Sequence, residues 1–369
     1  MDIALHGGLE QGVRNLLLNC AQVTAGQRLL LVHETEAEGY YDPGLVPEIT
    51  CVAHQIGLIT QTSAVALNRD VSDPGPELQA LMQAADCTVF LARLGDQIRF
   101  HTSTGAGRQI ILYALDRDML ASPFGTVDYA AFEALKQTID QAIARAGHIH
   151  VTCPAGTDFE GGPAAIEAAG DVTRTRFPMS VHAPVPAQHF AGRVAQKGFL
   201  TGTGSCYYMP YACEIKDTLF VDFDGTRITG FDGAPRDVAA ASAHYDFVAK
   251  TCGTEPHYVH SWHTGIHPGC CYTGPAGANF ERWSGCAFGN PRLLHFHTCG
   301  AMPPGEISLN VLDPTVRLDG VAVWEGGVLH PNRVAGGAAL LERFPDMAAV
   351  FAAPARQVGQ SARGQLAYR

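Results

Sequence analysis

The feature that most constrains this chain is an alternation that runs for its first 150 residues and then stops. QRLLLVHE (27–34) is an apolar run with the length of a buried strand, and PGLVPEITCVAHQIG (43–57) follows with helical periodicity ending at Gly57. LITQTSAVAL (58–67) reads as a strand, PELQALMQAAD (76–86) as a helix opened by Pro76, and CTVFLARL (87–94) and QIILYAL (109–115) as strands. DYAAFEALKQTIDQAIARAG (128–147) has the longest helical pattern, with Gly147 placed as a C-cap, and HIHVTC (148–153) begins the next strand. Strands and helices in strict turn predict a parallel sheet flanked by helices. No GxGxxG follows the first strand, so a dinucleotide is not implied.

Beyond residue 150 the texture changes to short strands separated by Gly and Pro turns. LFVDFDGTRITGF (219–231) and TVRLDGVAVWEGG (315–327) read as hairpins turning on Asp-Gly. Long helical patterns are absent until AGGAALLERFPDMAAVFAA near the end. A chain of 369 residues is too long for one ordinary core. The expectation is therefore α/β plus α+β: an N-terminal parallel α/β domain over 1–150 and a C-terminal β-rich domain over 151–369.

Composition narrows the function. With 46% hydrophobic and 17% charged residues the chain is a packed globular protein. A net charge of -11 without a basic stripe argues against nucleic acid as a partner. No apolar run approaches the roughly 18 residues of a membrane span, and the first residues lack the pattern of a signal peptide. Eleven cysteines, an odd number with no CxxC, read as buried reduced thiols in a cytoplasmic protein.

Histidine is where chemistry concentrates. LLHFHTCG (293–300) places His295 and His297 two apart, on one face of a strand with Phe296 on the other. Such a pair is either half of a metal site or two core imidazoles bonded to backbone. HYVHSWHTGIHPGCC (257–271) adds His257, His260, His263 and His267, where Gly265 and Pro268 favour a strand end or loop over a helix. His257 and His260 read as surface residues; His263 is open between ligand and surface. Glu306, after the turn in PPGEIS (303–308), is either a solvated turn carboxylate or the carboxylate of a metal site. In FPMSVHAPVPAQHF (177–190), His182 and His189 are held among prolines and are general-base or structural residues. Arg174 and Arg176 share a strand face, as a carboxylate clamp or as a solvated edge. Tyr207 and Tyr211, with Tyr208 between them, line a pocket or fill a core. Nothing marks Cys270 or Cys271 as activated.

Three segments together resemble one family. PAGTDFEGG (154–162) is similar to the Gly-Ser/Thr-Asp motif of the aminopeptidase T (M29) metallopeptidase superfamily, HTGIHPG (263–269) to its His-Ile-x-x-Gly ligand segment, and VRLDGVAVWEGG (316–327) to its closing hairpin. That superfamily joins an α/β domain to a β-rich metal-binding one and includes 2,5-dihydroxypyridine 5,6-dioxygenase, a ring-cleaving non-haem iron enzyme. The resemblance implies a metal ligand at His263. The peptidases hold two metals with glutamates from preceding segments; 177–190 contains none, which is closer to the one-metal dioxygenase branch. In both branches a His-x-Asp pair completes the site. Aligned on RLDG, that pair falls on Ser308 and Asn310, poor ligands; aligned with an insertion, it falls on His295 and His297.

The resulting expectation is a mononuclear site of His263, His295 and His297 holding Fe(II), with Zn or Mn as alternatives. Glu306 would stand behind or beside the ion. His182 or His189 would move protons, and Arg174, Arg176, Tyr207 and Tyr211 would bind substrate. The expected reaction is ring-opening oxygenation of a small aromatic or N-heterocyclic acid by O₂, in a homodimer as the resemblance implies. Metal-dependent hydrolysis of an amide and a catalytically inactive binding relative are the rivals.

Overall fold

The computed structural model describes residues 3–69, 73–101, 107–163, 172–300, 304–362 and 364–368. They form two compact units, Met1–Glu133 with Asp171–Ser180, and Ala134–Gly170 with Val181–Arg369. The sequence reading placed one boundary at 150. The chain instead leaves the first unit inside the helix Tyr129–Arg145 and returns to it for a short excursion.

The first unit is built on a five-stranded parallel sheet in the order Ile59–Val65, Arg28–Glu34, Cys87–Leu91, Arg108–Leu112, Thr175–Phe177. Its inner strands are the continuous apolar runs of the sequence, as expected where both faces of a sheet are covered; Cys87–Leu91 is buried at every position. Leu30, Val32 and Phe90 pack with Leu78 and Met82 of the helix Gly75–Ala84. The helix Leu45–Ile56 buries Leu45, Ile49, Val52 and Ala53 along one stripe and stops at Gly57, whose φ of 88° only glycine adopts readily. Two local expectations change. Gly147 does not cap the long helix: it lies outside the left-handed region and donates its N–H to Asp319 Oδ2 at 3.2 Å. HIHVTC does form a strand, Ile149–Thr152, but an antiparallel one in the second unit; the fifth parallel strand is Thr175–Phe177.

The second unit contains a large antiparallel sheet. Its path runs Val328–Leu329, Val321–Glu325, Thr315–Leu318, Ile149–Thr152, Asp158–Gly161, Phe190–Thr201, Ile307–Leu312, Leu293–Thr298, Val259–Thr264, Val185–Pro186. The long strand Ala212–Asp224 pairs with Phe190–Thr201 and forms the first foreseen hairpin with Arg227–Asp232. The second hairpin turns on Asp319 (φ 48°) and Gly320 (φ 84°), the two positive φ values of a type I′ turn. This unit also holds a helix that no sequence period predicts, Pro235–Cys252: its centre is alanine-rich, so apolar and polar positions contrast too little to show a period. The C-terminal helical stretch is broken into Gly337–Arg343 and Pro345–Ala352 at Pro345. Among the described residues, no helix is long and apolar enough to cross a membrane.

Three neighbouring strands, Val259–Thr264, Leu293–Thr298 and Ile307–Leu312, prepare the site. One face carries Trp262 and Phe296, both fully buried, in edge-to-face contact with Phe159 (centroids 5.6 and 5.2 Å). Phe190 and Phe223 extend that cluster. The period of two then sends His263, His295 and His297 to the opposite face.

Candidate metal centre

Strand register brings the histidines together. His263 lies directly across from His295 and Ser261 across from His297; on the other side His295 faces Asn310 and His297 faces Ser308. The three ligand nitrogens all lie within 4.8 Å of one another, and His263 Nε2 is 3.1 Å from His297 Nε2. Two of the rings are oriented from behind. His263 Nδ1–H donates to the His182 carbonyl at 3.1 Å, and His297 Nδ1–H to Glu306 Oε1 at 2.8 Å. The ring of His295 is stacked on Phe288, 3.9 Å away and tilted by 12°.

With both Nδ1 atoms acting as donors, neutral rings carry lone pairs on their Nε2 atoms, and these atoms face each other at 3.1 Å. That approach is repulsive unless a proton or cation lies between them. Two nitrogens bound to one ion at about 2.1 Å stand about 3.0–3.4 Å apart between octahedral and tetrahedral angles, so the spacing fits a shared metal. Burial, then the neighbouring imidazoles, hold the pKa of His263 well below the usual histidine range, which keeps it a neutral ligand. The donor set is thus three imidazoles with a buried carboxylate one hydrogen bond behind, a combination that suits Zn or Fe(II).

The motif around His263 has structural reasons too. A Cβ on Gly265 would sit 2.3 Å from the Asn290 carbonyl, so only glycine fits there, and its own carbonyl accepts from Trp324 Nε1 at 3.1 Å. His182 belongs to the proline-rich segment that runs antiparallel along the Val259 strand, pairing Val185 with Trp262 and Pro186 with Ser261.

The remaining expected site residues divide clearly. Glu306 joins the centre, buried and bonded to His297; Pro303, at the start of its turn, is outside the described residues. His182 stands next to the centre, but both ring nitrogens are engaged: Nδ1–H donates to Ala183 O at 2.7 Å, and Nε2 accepts from the Thr264 N–H at 3.0 Å. That geometry fits an anchor for His263 better than a free base. His189 is exposed on a 3-10 turn, its Nε2 3.2 Å from Gln188 Nε2. Arg174 and Arg176 are buried in the first unit; Arg174 donates to Gln109 Oε1 at 2.8 Å and to the carbonyls of Ile98 and His101. Tyr211 bonds Gly204 O and Ser284 Oγ at 2.8 and 2.7 Å, whereas Tyr207 is half-buried. His267 is buried, and its Nδ1 accepts from the Gly269 N–H at 3.1 Å.

Sequence reasoning passed over Phe288 and Thr203, which no spacing marks, and set His260 aside. A β-bulge between Val259 and Ser261 interrupts the alternation beside His260. Its half-buried ring bonds Ser261 Oγ at 2.8 Å, and its pKa is lowered by burial first and by His297 second.

The fold and this centre define a class: a parallel α/β unit followed by a β-rich unit with a histidine triad on one sheet face. No protein-family model matches the chain, and neither does any curated protein sequence. Among solved structures it is similar to 2,5-dihydroxypyridine dioxygenase from Pseudomonas putida KT2440, with a TM-score of 0.60 and 15% identity over 88% of this chain and 97% of that one. It also resembles AmpT from Thermus thermophilus, with a TM-score of 0.47 and 10% identity over 84% and 94% of the two chains. The fold is the one that the dioxygenase carries.

Proposed function

We propose that this chain is a mononuclear metal-dependent oxygenase, using Fe(II) and O₂ to open the ring of a small aromatic or N-heterocyclic acid. The observation that carries the reading is the triad: three imidazoles converge on one point, with two of their tautomers set by hydrogen bonds that leave Nε2 facing inward. The fold shared with a dioxygenase supports it. When bound, Fe(II) would supply open positions for O₂ and for a chelating substrate oxygen. Neutral ligands leave the ion's charge uncompensated within the triad, which favours an anionic substrate. Burial of His263 and His295 keeps bulk water away from the ligand side. His260, half-buried and neutral at pH 7, is the imidazole outside the triad that we assign to accept a proton; His182 anchors His263.

The test is metal content of anaerobically purified protein together with dioxygen uptake in the presence of hydroxylated aromatic and N-heterocyclic acids. About one iron per chain and substrate-dependent uptake are the expected results. One zinc and no uptake would replace the oxygenase by a metallohydrolase. A chain that takes up neither metal after reconstitution would sink both and leave a binding protein.

A further inference from the structure

The carboxylate behind the triad is itself clamped. Glu306 Oε1 accepts from His297, its Oε2 accepts from the Thr203 hydroxyl, and its backbone carbonyl accepts from the Tyr208 hydroxyl at 2.8 Å. Thr203, Tyr208 and Glu306 are 6%, 4% and 4% exposed, so water has little access to replace either donor. Both donors come from the segment between the strands Phe190–Thr201 and Ala212–Asp224, which supplies no member of the triad. That segment is pinned independently: the Cys206 N–H donates to Glu281 Oε1 at 2.7 Å, and the Tyr211 hydroxyl meets Ser284 Oγ at 2.7 Å.

We propose that Thr203 and Tyr208 are positioning residues of the metal centre. They hold Glu306 in place, and Glu306 fixes the tautomer and aim of His297. The inference rests on the metal-binding reading above. A carboxylate with one oxygen unheld can rotate, and the imidazole bonded to it then loses both its direction and the basicity that a fixed acceptor lends it. Burial pushes the Tyr208 phenol well above its ordinary pKa, so it remains a neutral donor. Metal affinity therefore depends on two hydroxyl groups that do not reach the ion.

The experiment measures Zn(II) affinity of the full chain by competition with a chromophoric chelator, and Co(II) absorption bands as a signature of coordination. The proteins are wild type, Thr203→Val, Thr203→Ser, Tyr208→Phe and Glu306→Gln. Thr203→Val and Glu306→Gln should weaken Zn(II) binding about 10–100-fold while the Co(II) band shape persists. Thr203→Ser, which restores the hydroxyl, should recover wild-type affinity; Tyr208→Phe should lose less than Thr203→Val. Unchanged affinity in both Thr203→Val and Glu306→Gln overturns the proposal. So does a Co(II) spectrum altered only by Glu306→Gln, because Glu306 would then be a ligand itself. Should Thr203→Val fail to fold, weakened binding by soluble Tyr208→Phe supports the inference and wild-type affinity overturns it. Wild-type protein that binds neither ion fails at the earlier step, the metal reading.

Discussion

The buried ion pair of the first unit and the buried histidine triad of the second differ in what each needs. In the first, the buried ions meet partners. Arg93 bonds Glu34 through Nε and Nη2, with side chains 5% and 2% exposed, and Arg99 pairs with Asp96 at 2.8 Å. Arg174 is surrounded by carbonyls, and burial lowers its pKa to about 10. The Arg93–Glu34 pair lies past the carboxyl ends of the adjacent strands Arg28–Glu34 and Cys87–Leu91, where the strand order reverses. A doubly wound sheet usually receives its ligand at that place; here Glu34 ends one strand, Arg93 closely follows the other, and the two are paired there. In the second unit the Nε2 atoms of two imidazoles face each other at 3.1 Å, an approach that needs a proton or a cation between them. On the function proposed above, the ion pair of the first unit is complete by itself, whereas the triad of the second would be completed by a cation.

The largest effect that sharpens this contrast is on metal content. Replacing His295 and His297 together by alanine should take bound metal from about one per chain to none, measured by elemental analysis after dialysis. Retained stoichiometry would put the ion elsewhere. Next, Glu34→Ala leaves the buried Arg93 guanidinium without its main partner, with Glu38 still at 3.1 Å, and should cost about 3 kcal/mol in urea unfolding without changing metal content. A cost near zero would mean that the first unit is not held by its ion pair.

A smaller effect is acid sensitivity of the metal-free protein. Burial lowers His244 to about 4 and His267 to about 3. An unfolded chain takes up protons on both below its ordinary value near 6.5, while the folded one does not. Stability therefore falls as pH drops from 6.5 toward 4, by at most about 1.4 kcal/mol per pH unit for each imidazole. His244→Phe should flatten that slope in urea titrations at pH 7, 6 and 5; an unchanged slope would remove His244 from the account. The smallest effect is His189→Ala, expected to stay within about 0.5 kcal/mol of wild type with full metal content, as for a solvated turn residue.

What the sequence made legible followed from local rules. A period of two was enough to put His295 and His297 on one face with Phe296 opposite, and Asp-Gly was enough for the second hairpin turn; in the first, Asp224 still pairs with Arg227 and the turn falls on Gly225 and Thr226. Both possible placements of the second ligand pair proved to be neighbours: His295 faces Asn310 and His297 faces Ser308 across one strand boundary. Pairing partners were less legible. Ile149–Thr152 has the composition of a strand for either sheet, and only its neighbours make it antiparallel. Arg174 and Arg176 are expected to share a strand face, but the strand Thr175–Phe177 holds only Arg176, and the carbonyls that occupy Arg174 belong to a turn some seventy residues earlier. Thr203 meets Glu306 across 103 residues, a distance no spacing pattern spans.

The strand Leu293–Thr298 also has a consequence for how this chain can change over time. Point substitutions at His295 or His297 would damage one ligand at a time and leave Phe296 in its aromatic cluster. Deleting a single residue such as Leu294 would reverse the orientation of the preceding side chains relative to those after it, and a register slip to compensate would exchange the two faces. Imidazoles would then enter the aromatic interior and a phenyl ring would enter the face that carries the histidine triad. Descendants of this sequence should accordingly show amino-acid replacement along the strand but almost no variation in its length.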